Sequence, residues 1–336
     1  MQKTRATADM KERLLLALKE NKGSWVSSEH LRSGLSVSRS AIWKHMCKLK
    51  AEGYDLKSSP NKGYFLQGVP DLLLPQEIRH GLGTKVFGKK EIIHVGETDS
   101  TNTLAKEWAS KGADEGALVI AEKQTRGRGR IGREWFSPPQ ESIYISTILR
   151  PSISPGEAPR ITLLAAVAVA EALLAQTGLR VHIKWPNDVL LADKKIAGIL
   201  TEMSSEMDAV NFIVLGVGLN VNTSAFPEEL KEKATSVLIE TGKRHSRVAI
   251  VQQYLKQLEA YYEQFAKARF PIILKRWKEL ADVLGRRVIV EFGESMIAGQ
   301  TQDIDRDGVL ILRDRHGKTH RIFSGEVSYL GKSRRT

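Results

Sequence analysis

Only one cysteine, Cys47, occurs in 336 residues, so no intramolecular disulfide and no thiolate metal centre can be assembled from cysteine. A reducing, cytoplasmic setting is the expectation. Charge interrupts Met1 to Glu20 too often for the apolar segment of an export signal. Long apolar runs are equally scarce. The longest, Ile161 to Ala175, is broken by Glu171 and falls short of the ~20 residues of a membrane span; it reads as a buried helix, and no membrane partner is expected. Internal repeats and low-complexity tracts are also missing.

What is present is an ordinary globular composition, 41% apolar and 27% charged, on a chain long enough for two or three domains. The formal charge of +12 points to an anionic partner, and it is unevenly placed. Residues 1–69 hold 13 Lys and Arg against 6 Asp and Glu, so +7 of the +12 lies there.

That segment has the pattern of a winged helix-turn-helix. Leu14, Leu15 and Leu18 are at helical spacing between Lys11 and Asn21, Ser28 is placed to cap a short helix through Arg32, and Ser33-Gly34 reads as the turn. Ser38 opens a second helix in which Ile42, Met46 and Leu49 form one apolar row, ended by Gly53. Tyr54 to Leu66 reads as a hairpin with its tip at Pro60-Asn61-Lys62-Gly63. Ser38, Arg39, Ser40, Lys44 and Lys48 are the candidate groove-facing residues, with Lys57 and Lys62 for phosphates. A protein-docking module with a solvated basic face is the competing reading, and Trp43 and Cys47 fit packing under either.

After the link Gly68 to Gln76, strands are expected at 91–95, 117–122, 142–149, 181–191, 195–203 and 211–219, with one long helix at 158–176. Strands outnumber helices, so a mixed α+β sheet fits better than strict βαβ alternation. An amphipathic helical region, Val248 to Leu280, should break at Pro271. Beyond Gly285 the period changes to two, with turn signals at Phe292-Gly293-Glu294, at 305–308 and at His316-Gly317-Lys318, as in a small β-barrel.

Within Thr125 to Ser137 (TRGRGRIGREWFS), Gly127, Gly129 and Gly132 spell the dinucleotide fingerprint G-x-G-x-x-G. That fingerprint must follow a strand and open a helix whose amides hold a pyrophosphate. The strand is there, but Pro138-Pro139 forbids the helix, and the arginines would crowd the close approach that the glycines permit. Arg126, Arg128, Arg130 and Arg133 on a flexible backbone instead describe a loop that an anion would order. Trp135 either stacks on a base or anchors the loop. In Val181 to Asp188, Lys184 alternates with apolar residues; an edge lysine reaching water explains it alone, an anion partner explains it beside the arginine loop. Gly216 to Asn222 (GVGLNVN) offers close approach at a strand end and the Asn220 amide. Glu97 to Asn102 offers hydroxyls and an amide, or an ordinary N-cap cluster.

These motifs in this order, DSTN, GRGRIGREWFSP, KWPNDVLL with IAGIL behind it, and GVGLNVN, resemble the biotin protein ligases, and with the helix-turn-helix in front the bifunctional type that also represses the biotin operon. The resemblance spans Leu14 to about Ser328. It implies a winged helix-turn-helix domain (1–67), a class II synthetase-like mixed-sheet ligase domain (75–283) and an SH3-like barrel (284–332). By position it gives Ser100, Thr101, Asn102 and Gln124 to the biotin rings. It gives Arg128, Gly129 and Arg130 to a loop folding over biotin and adenylate, Arg133 and Trp135 to phosphate and adenine, Lys184 to the α-phosphate and biotin carboxylate, and Asn220 to adenine. The implied catalytic set is Lys184, Arg130 and Arg133.

The implied substrates are biotin and ATP with Mg²⁺. No metal ligand is assignable, since Mg²⁺ rides mainly on the ATP phosphates. Implied partners are the biotin carboxyl carrier domain of acetyl-CoA carboxylase, operator DNA and a second copy of the chain in a homodimer, with biotinyl-5′-adenylate as corepressor. Gly325-Glu326-Val327-Ser328 matches the last barrel strand, but Tyr329-Leu330-Gly331 supplies no basic residue, so an ATP contact from the barrel stays unassigned. Two rivals remain at this point: a sensor that has lost catalysis, and a ligase whose winged helix does not bind DNA. Lipoate ligases share the sheet but not the arginine-glycine loop or KWPND.

Overall fold

The computed structural model describes residues 2–330, with side chains from Met10 onward. Residues 331 and 332, assigned above to the barrel, lie outside the described residues, as does Gly331 of the basic-residue test. The chain falls into two compact units that part between Asp71 and Leu72.

The first unit runs α1 (Gln2–Glu20), β1 (Trp25–Val26), α2 (Ser28–Leu35), α3 (Arg39–Ala51), β2 (Asp55–Ser59) and β3 (Gly63–Gly68). Leu14, Leu15 and Leu18 of α1 are buried, as are Leu31 of α2, Ile42, Met46 and Leu49 of α3, and Leu56 and Leu66 of the hairpin. The cap of α2 is Ser27 rather than Ser28: the Ser27 hydroxyl accepts from His30 N at 3.0 Å. The turn also falls later than Ser33-Gly34. Ser33 Oγ donates to the Glu29 carbonyl and stays helical, and Ser36 takes the left-handed conformation that ends the helix. Ser38 does cap α3, accepting from Ala41 N at 3.2 Å. β1 completes a three-stranded sheet in the order β1-β3-β2; two residues carry no readable period.

The second unit holds α4 (Pro75–Arg79), β4 (Ile92–Val95), α5 (Thr101–Ser110), β5 (Leu118–Ala121), β6 (Ile143–Leu149), α6 (Ala158–Thr177), β7 (His182–Lys184), β8 (Asp188–Leu191), β9 (Lys194–Glu206), β10 (Ala209–Leu219), α7 (Val237–Thr241), α8 (Arg247–Ala266) and α9 (Phe270–Leu280). Seven strands form one sheet, ordered β4-β5-β6-β10-β9-β8-β7. Only β4 and β5 run parallel, so the sheet is mixed. Alternate residues feed opposite faces: Leu118 and Ile120 join one apolar cluster, Val119 the other with Ala105 and Ala109 of α5. α6 is apolar and long enough to cross a membrane, but its apolar residues are spent on the core, packed against α8, α9 and β9.

The α8–α9 break precedes Pro271. Ala268 has φ 55°, and Pro271 sits at the second position of α9, where its missing N–H costs no hydrogen bond. Then come β11 (Arg287–Phe292), β12 (Ser295–Ile304), β13 (Leu310–Asp314), β14 (Thr319–Ile322) and β15 (Glu326–Tyr329), an antiparallel sheet in the order β14-β13-β12-β11-β15. Among the described residues no ladder joins β14 to β15, so this domain is an antiparallel sheet open on that side. Trp185 Nε1 donates to the Gly308 carbonyl at 3.1 Å and Arg160 of α6 pairs with Asp307 at 2.8 Å, tying it to the larger domain.

One buried charge cluster holds the second unit together. Arg247, fully buried, pairs with Glu122 at 2.8 Å, and Glu122 also accepts from Leu73 N at 2.8 Å and lies 3.0 Å from His94 Nε2. Burial pushes the Glu122 pKa up, but the His94 and Arg247 contacts and the Leu73 amide outweigh it and hold the group below the usual carboxylate range. A depressed carboxylate adds stability above its unfolded pKa of about 4.3 and loses it as pH falls through the folded value. Arg247→Met leaves that charge buried without its partner; a loss of about 3–5 kcal/mol in urea unfolding at neutral pH, shrinking as pH falls and the buried Glu122 takes up a proton, is the expected result.

Candidate active site

The arginine-glycine loop folds into a small hairpin over the sheet. Arg128 and Glu134 bridge antiparallel, Gly129 N donates to the Arg133 carbonyl at 2.7 Å, and Trp135 N donates to the Gly127 carbonyl at 2.8 Å. A single 3₁₀ turn spans Arg130–Gly132, with Ile131 at φ 54°.

Beneath it lie two adjoining cavities. The first is lined by Ser100, Thr101, Asn102, Gln124, Arg128, Gly129, Arg130 and Trp135, with Gly216 and Gly218 of β10. The second is lined by Arg130, Arg133, Trp135, Lys184, Asp188, Lys195 and Glu326. Arg130 and Trp135 belong to both, so the loop forms the wall between them. The structure thus brings together every loop and strand candidate except Arg126 and Asn220. Asn220 is buried at the end of β10, its amide donating to the Thr235 carbonyl at 3.0 Å, and it lines neither cavity.

The floor of the first cavity is already paired. Gln124 Oε1 accepts from Thr101 N at 2.9 Å while its amide nitrogen donates to Ser137 Oγ at 3.0 Å. Ser146 Oγ stands 2.8 Å from Thr101 Oγ1 and 2.6 Å from Asn102 Oδ1. Asn102 Nδ2 donates to the Leu200 carbonyl and to Glu202. Ser100 begins α5 without a side-chain cap bond, so the plain N-cap account of Glu97 to Asn102 does not explain its hydroxyl.

The second cavity gathers positive charge. Burial pulls the Lys184 ammonium below the ordinary lysine range, the negative charges of Asp188 and Glu326 offset part of the shift, and Lys195 and Arg133 add to it. The Lys184 side chain extends over the Tyr329 ring at 5.4 Å. Burial lowers Arg130 likewise; it donates to Asn187 Oδ1 at 3.2 Å and reaches the Gly325 carbonyl at 3.4 Å. Arg133 is clamped bidentately by Glu326 of β15. Arg130, Arg133, Lys184 and Lys195 face the carboxylates of Glu134, Asp188 and Glu326, of which Asp188 pairs with Lys195 and Glu326 with Arg133, and the small positive excess suits an anion.

Trp135 anchors the loop by lying on the sheet. A Cβ built at Gly218 would stand 2.5 Å from its ring and one at Gly198 2.8 Å, so two strand glycines make the slot; Lys195 Nζ lies 5.2 Å from the ring centroid. Sequence reading misses Ser146, Asn187, Gly198, Glu202 and Glu326. Asn187, Gly198 and Glu326 sat inside quoted motifs, but nothing in the spacing linked them to the loop.

In the first unit, Arg39, Ser40, Lys44 and Lys48 of α3 are exposed, as are Ser38 at its start and Lys57 and Lys62 of the hairpin. Trp43 is 64% exposed and Cys47 is exposed on the same stripe, so neither packs. Lys62 Nζ lies 5.9 Å from the Trp25 ring centroid.

Sequence comparison gives this geometry its context. The biotin/lipoate A/B protein ligase family profile matches residues 95–220, an HTH domain profile 11–65 and the biotin protein ligase C terminal domain profile 283–330. The chain is 39% identical over 316 residues to the bifunctional ligase/repressor BirA of Bacillus spizizenii, covering 93% of this chain and 97% of that one. This chain belongs to the biotin protein ligase family. It is also 33% identical to the Escherichia coli BirA, over 94% of this chain and 95% of the relative. Among solved structures it is similar to the Aquifex aeolicus biotin protein ligase in complex with biotin and ATP. There the TM-score is 0.62 at 32% identity, covering 71% of this chain and 98% of that one.

Gly218→Ala tests the Trp135 slot. Forcing the ring off the sheet costs about 1–3 kcal/mol; the expected signs are altered tryptophan emission and faster tryptic cleavage between residues 126 and 133. Unchanged emission and cleavage would contradict the packing described here.

Proposed function

We propose that this chain activates biotin with ATP to biotinyl-5′-adenylate, transfers biotin to a lysine of a biotin carboxyl carrier domain, and represses biotin genes through its helix-turn-helix. The observation that carries the reading is the pair of adjoining cavities under one arginine hairpin, a neutral hydrogen-bonding floor on one side and a cationic basin on the other. Near-full-length similarity to bifunctional ligase/repressors supports it.

The chemistry suits the residues. The biotin carboxylate attacks the α-phosphorus, the bond to the β-phosphate breaks, and pyrophosphate leaves; negative charge accumulates between two anions. Lys184, Arg130 and Arg133 are assigned to hold that charge, and positioned cations in a partly dry site are what the step requires. Ser100, Thr101, Asn102, Gln124 and Gly129 are assigned to biotin with Arg128, Arg130 and Lys184, and Trp135 to the adenylate with Arg128, Arg133 and Lys184. Asn220 is assigned to adenine through its side-chain amide, one N–H of which donates to the Thr235 carbonyl. The acceptor amine then attacks the acyl carbon and AMP departs; no enzyme nucleophile takes part.

Among the described residues no group of three or more metal-ligating side chains occurs. Mg²⁺, the metal expected with ATP, would be held mainly through phosphate oxygens and water, and no protein ligand is assigned to it. We assign the domains as 1–67, 75–283 and 284–332, the setting as cytoplasmic, the carrier as that of acetyl-CoA carboxylase, and the repressing form as a homodimer. A two-fold pair would set two α3 helices on the half-sites of a palindrome. The exposed Ser38, Arg39, Ser40, Lys44 and Lys48, with Lys57 and Lys62, favour DNA over a protein-docking role, because no acidic side chain interrupts that stripe of α3.

Lys184→Ala and Arg130→Gly are each expected to slow adenylate formation by about a hundredfold or more, read as pyrophosphate release; unchanged release from both would refute the assignment. On the chain's own biotin-gene promoter, a mobility shift is expected to strengthen with biotin and ATP, and Lys48→Ala should lower the salt dependence by about one unit of slope. A promoter fragment unshifted under every condition would remove the repressor function.

A further inference from the structure

Glu202 of β9 lines neither cavity, yet three side chains from two elements, α5 and the loop, meet on its carboxylate. Asn102 Nδ2, from the first turn of α5, donates to Oε2 at 2.9 Å. Lys106, one helical turn later, pairs with Oε1. Arg128 of the loop places Nη1 3.3 Å from Oε1. Asn102 has no freedom left: its second amide proton goes to the Leu200 carbonyl at 3.2 Å, its Oδ1 faces Ser146, and a side chain at Gly216 would overlap it. Burial pushes the Glu202 pKa up, but the Lys106 and Asn102 hydrogen bonds and the charges of Lys106 and Arg128 outweigh it and hold the group ionised.

We propose that Glu202 is a positioning residue that makes loop closure and pocket shape a single event, fixing the Asn102 amide and docking the loop through Arg128. One acceptor serves a pocket residue and a loop residue. A change at the carboxylate therefore reaches the Asn102 amide, on Oε2, and Arg128, on Oε1, together. The inference rests on reading the first cavity as the biotin site.

Glu202→Gln separates charge from shape, since the amide oxygen still accepts from Asn102 while the charge that draws Arg128 is gone. The full-length variant is expected to bind biotin about tenfold more weakly by calorimetry, the scale of one charge-assisted hydrogen bond. With biotin bound, trypsin should cut its loop after Arg126 or Arg128 faster than in the parent. The KM for ATP should move less than twofold. Glu202→Asp should recover part of the protection. Lys106→Met removes only the helix limb and should leave biotin affinity and loop cleavage near the parent's. Equal affinity and cleavage in Glu202→Gln and the parent overturn the proposal alone; a Lys106→Met variant as impaired as Glu202→Gln also overturns it, reducing Glu202 to a tether for α5. A parent that binds no biotin overturns the biotin reading together with the proposal.

Discussion

Four arginines within eight residues repel one another, and the geometry of the site depends on where that charge is returned. Each of the three arginines that line the cavities finds its counterpart on a different element: Arg128 on Glu202 of β9, Arg130 on Asn187 between β7 and β8 and on the Gly325 carbonyl, Arg133 on Glu326 of β15. The loop is therefore positioned by the ligase sheet and the C-terminal sheet together. Partly exposed ion pairs are worth only about 0–1 kcal/mol each. A triphosphate can draw the arginines inward at small cost, which a fully buried pairing such as Arg247–Glu122 would never permit. The molecule uses both kinds, one for the frame and one for the loop.

Shape is set as strictly as charge, and by glycine. Gly198 and Gly218 make the trough that takes the Trp135 ring, and Gly216 the space that takes the Asn102 amide. All three lie on neighbouring long strands, β9 and β10, where glycine is otherwise unfavourable because it packs nothing. The conformational cost in two central strands is offset by a floor onto which side chains from the loop and from α5 can be laid flat. A rigid sheet supplies the precision, and the hairpin carries the residues that meet the anion.

Much of this was legible from residues alone, for physical reasons that also explain what was not. Lys184 stood out because a lysine between Ile183 and Trp185 alternates against an apolar face, and the arginine loop because its two prolines rule out a dinucleotide helix. The mixed sheet followed from strands that outnumber helices. Glu202 and Ser146 escaped because each sits in a strand whose alternation is satisfied without reference to a site, and their partners are 44 to 100 residues away in sequence. Asn220 was conspicuous beside its glycines, but its amide donates to the Thr235 carbonyl. At the other end of the chain, a two-residue strand left no period to read. Adjacent serines left the cap of α2 ambiguous until the backbone chose Ser27.

The two units raise a question that thermodynamics constrains. If the adenylate that the ligase site holds is also what drives operator binding, it can shift the DNA equilibrium only by as much as its affinities for the two forms differ. The coupling is reciprocal: whatever factor the adenylate adds to operator affinity, operator DNA must add to adenylate affinity. A repressing complex is then also one that guards its mixed anhydride, because a hairpin held closed excludes water. On the proposed function, a carrier protein would work in the opposite direction by consuming the ligand that favours repression. The arginine hairpin stands at the junction of these two demands, since the interactions that keep it closed set how long the adenylate survives to be spent on one or the other.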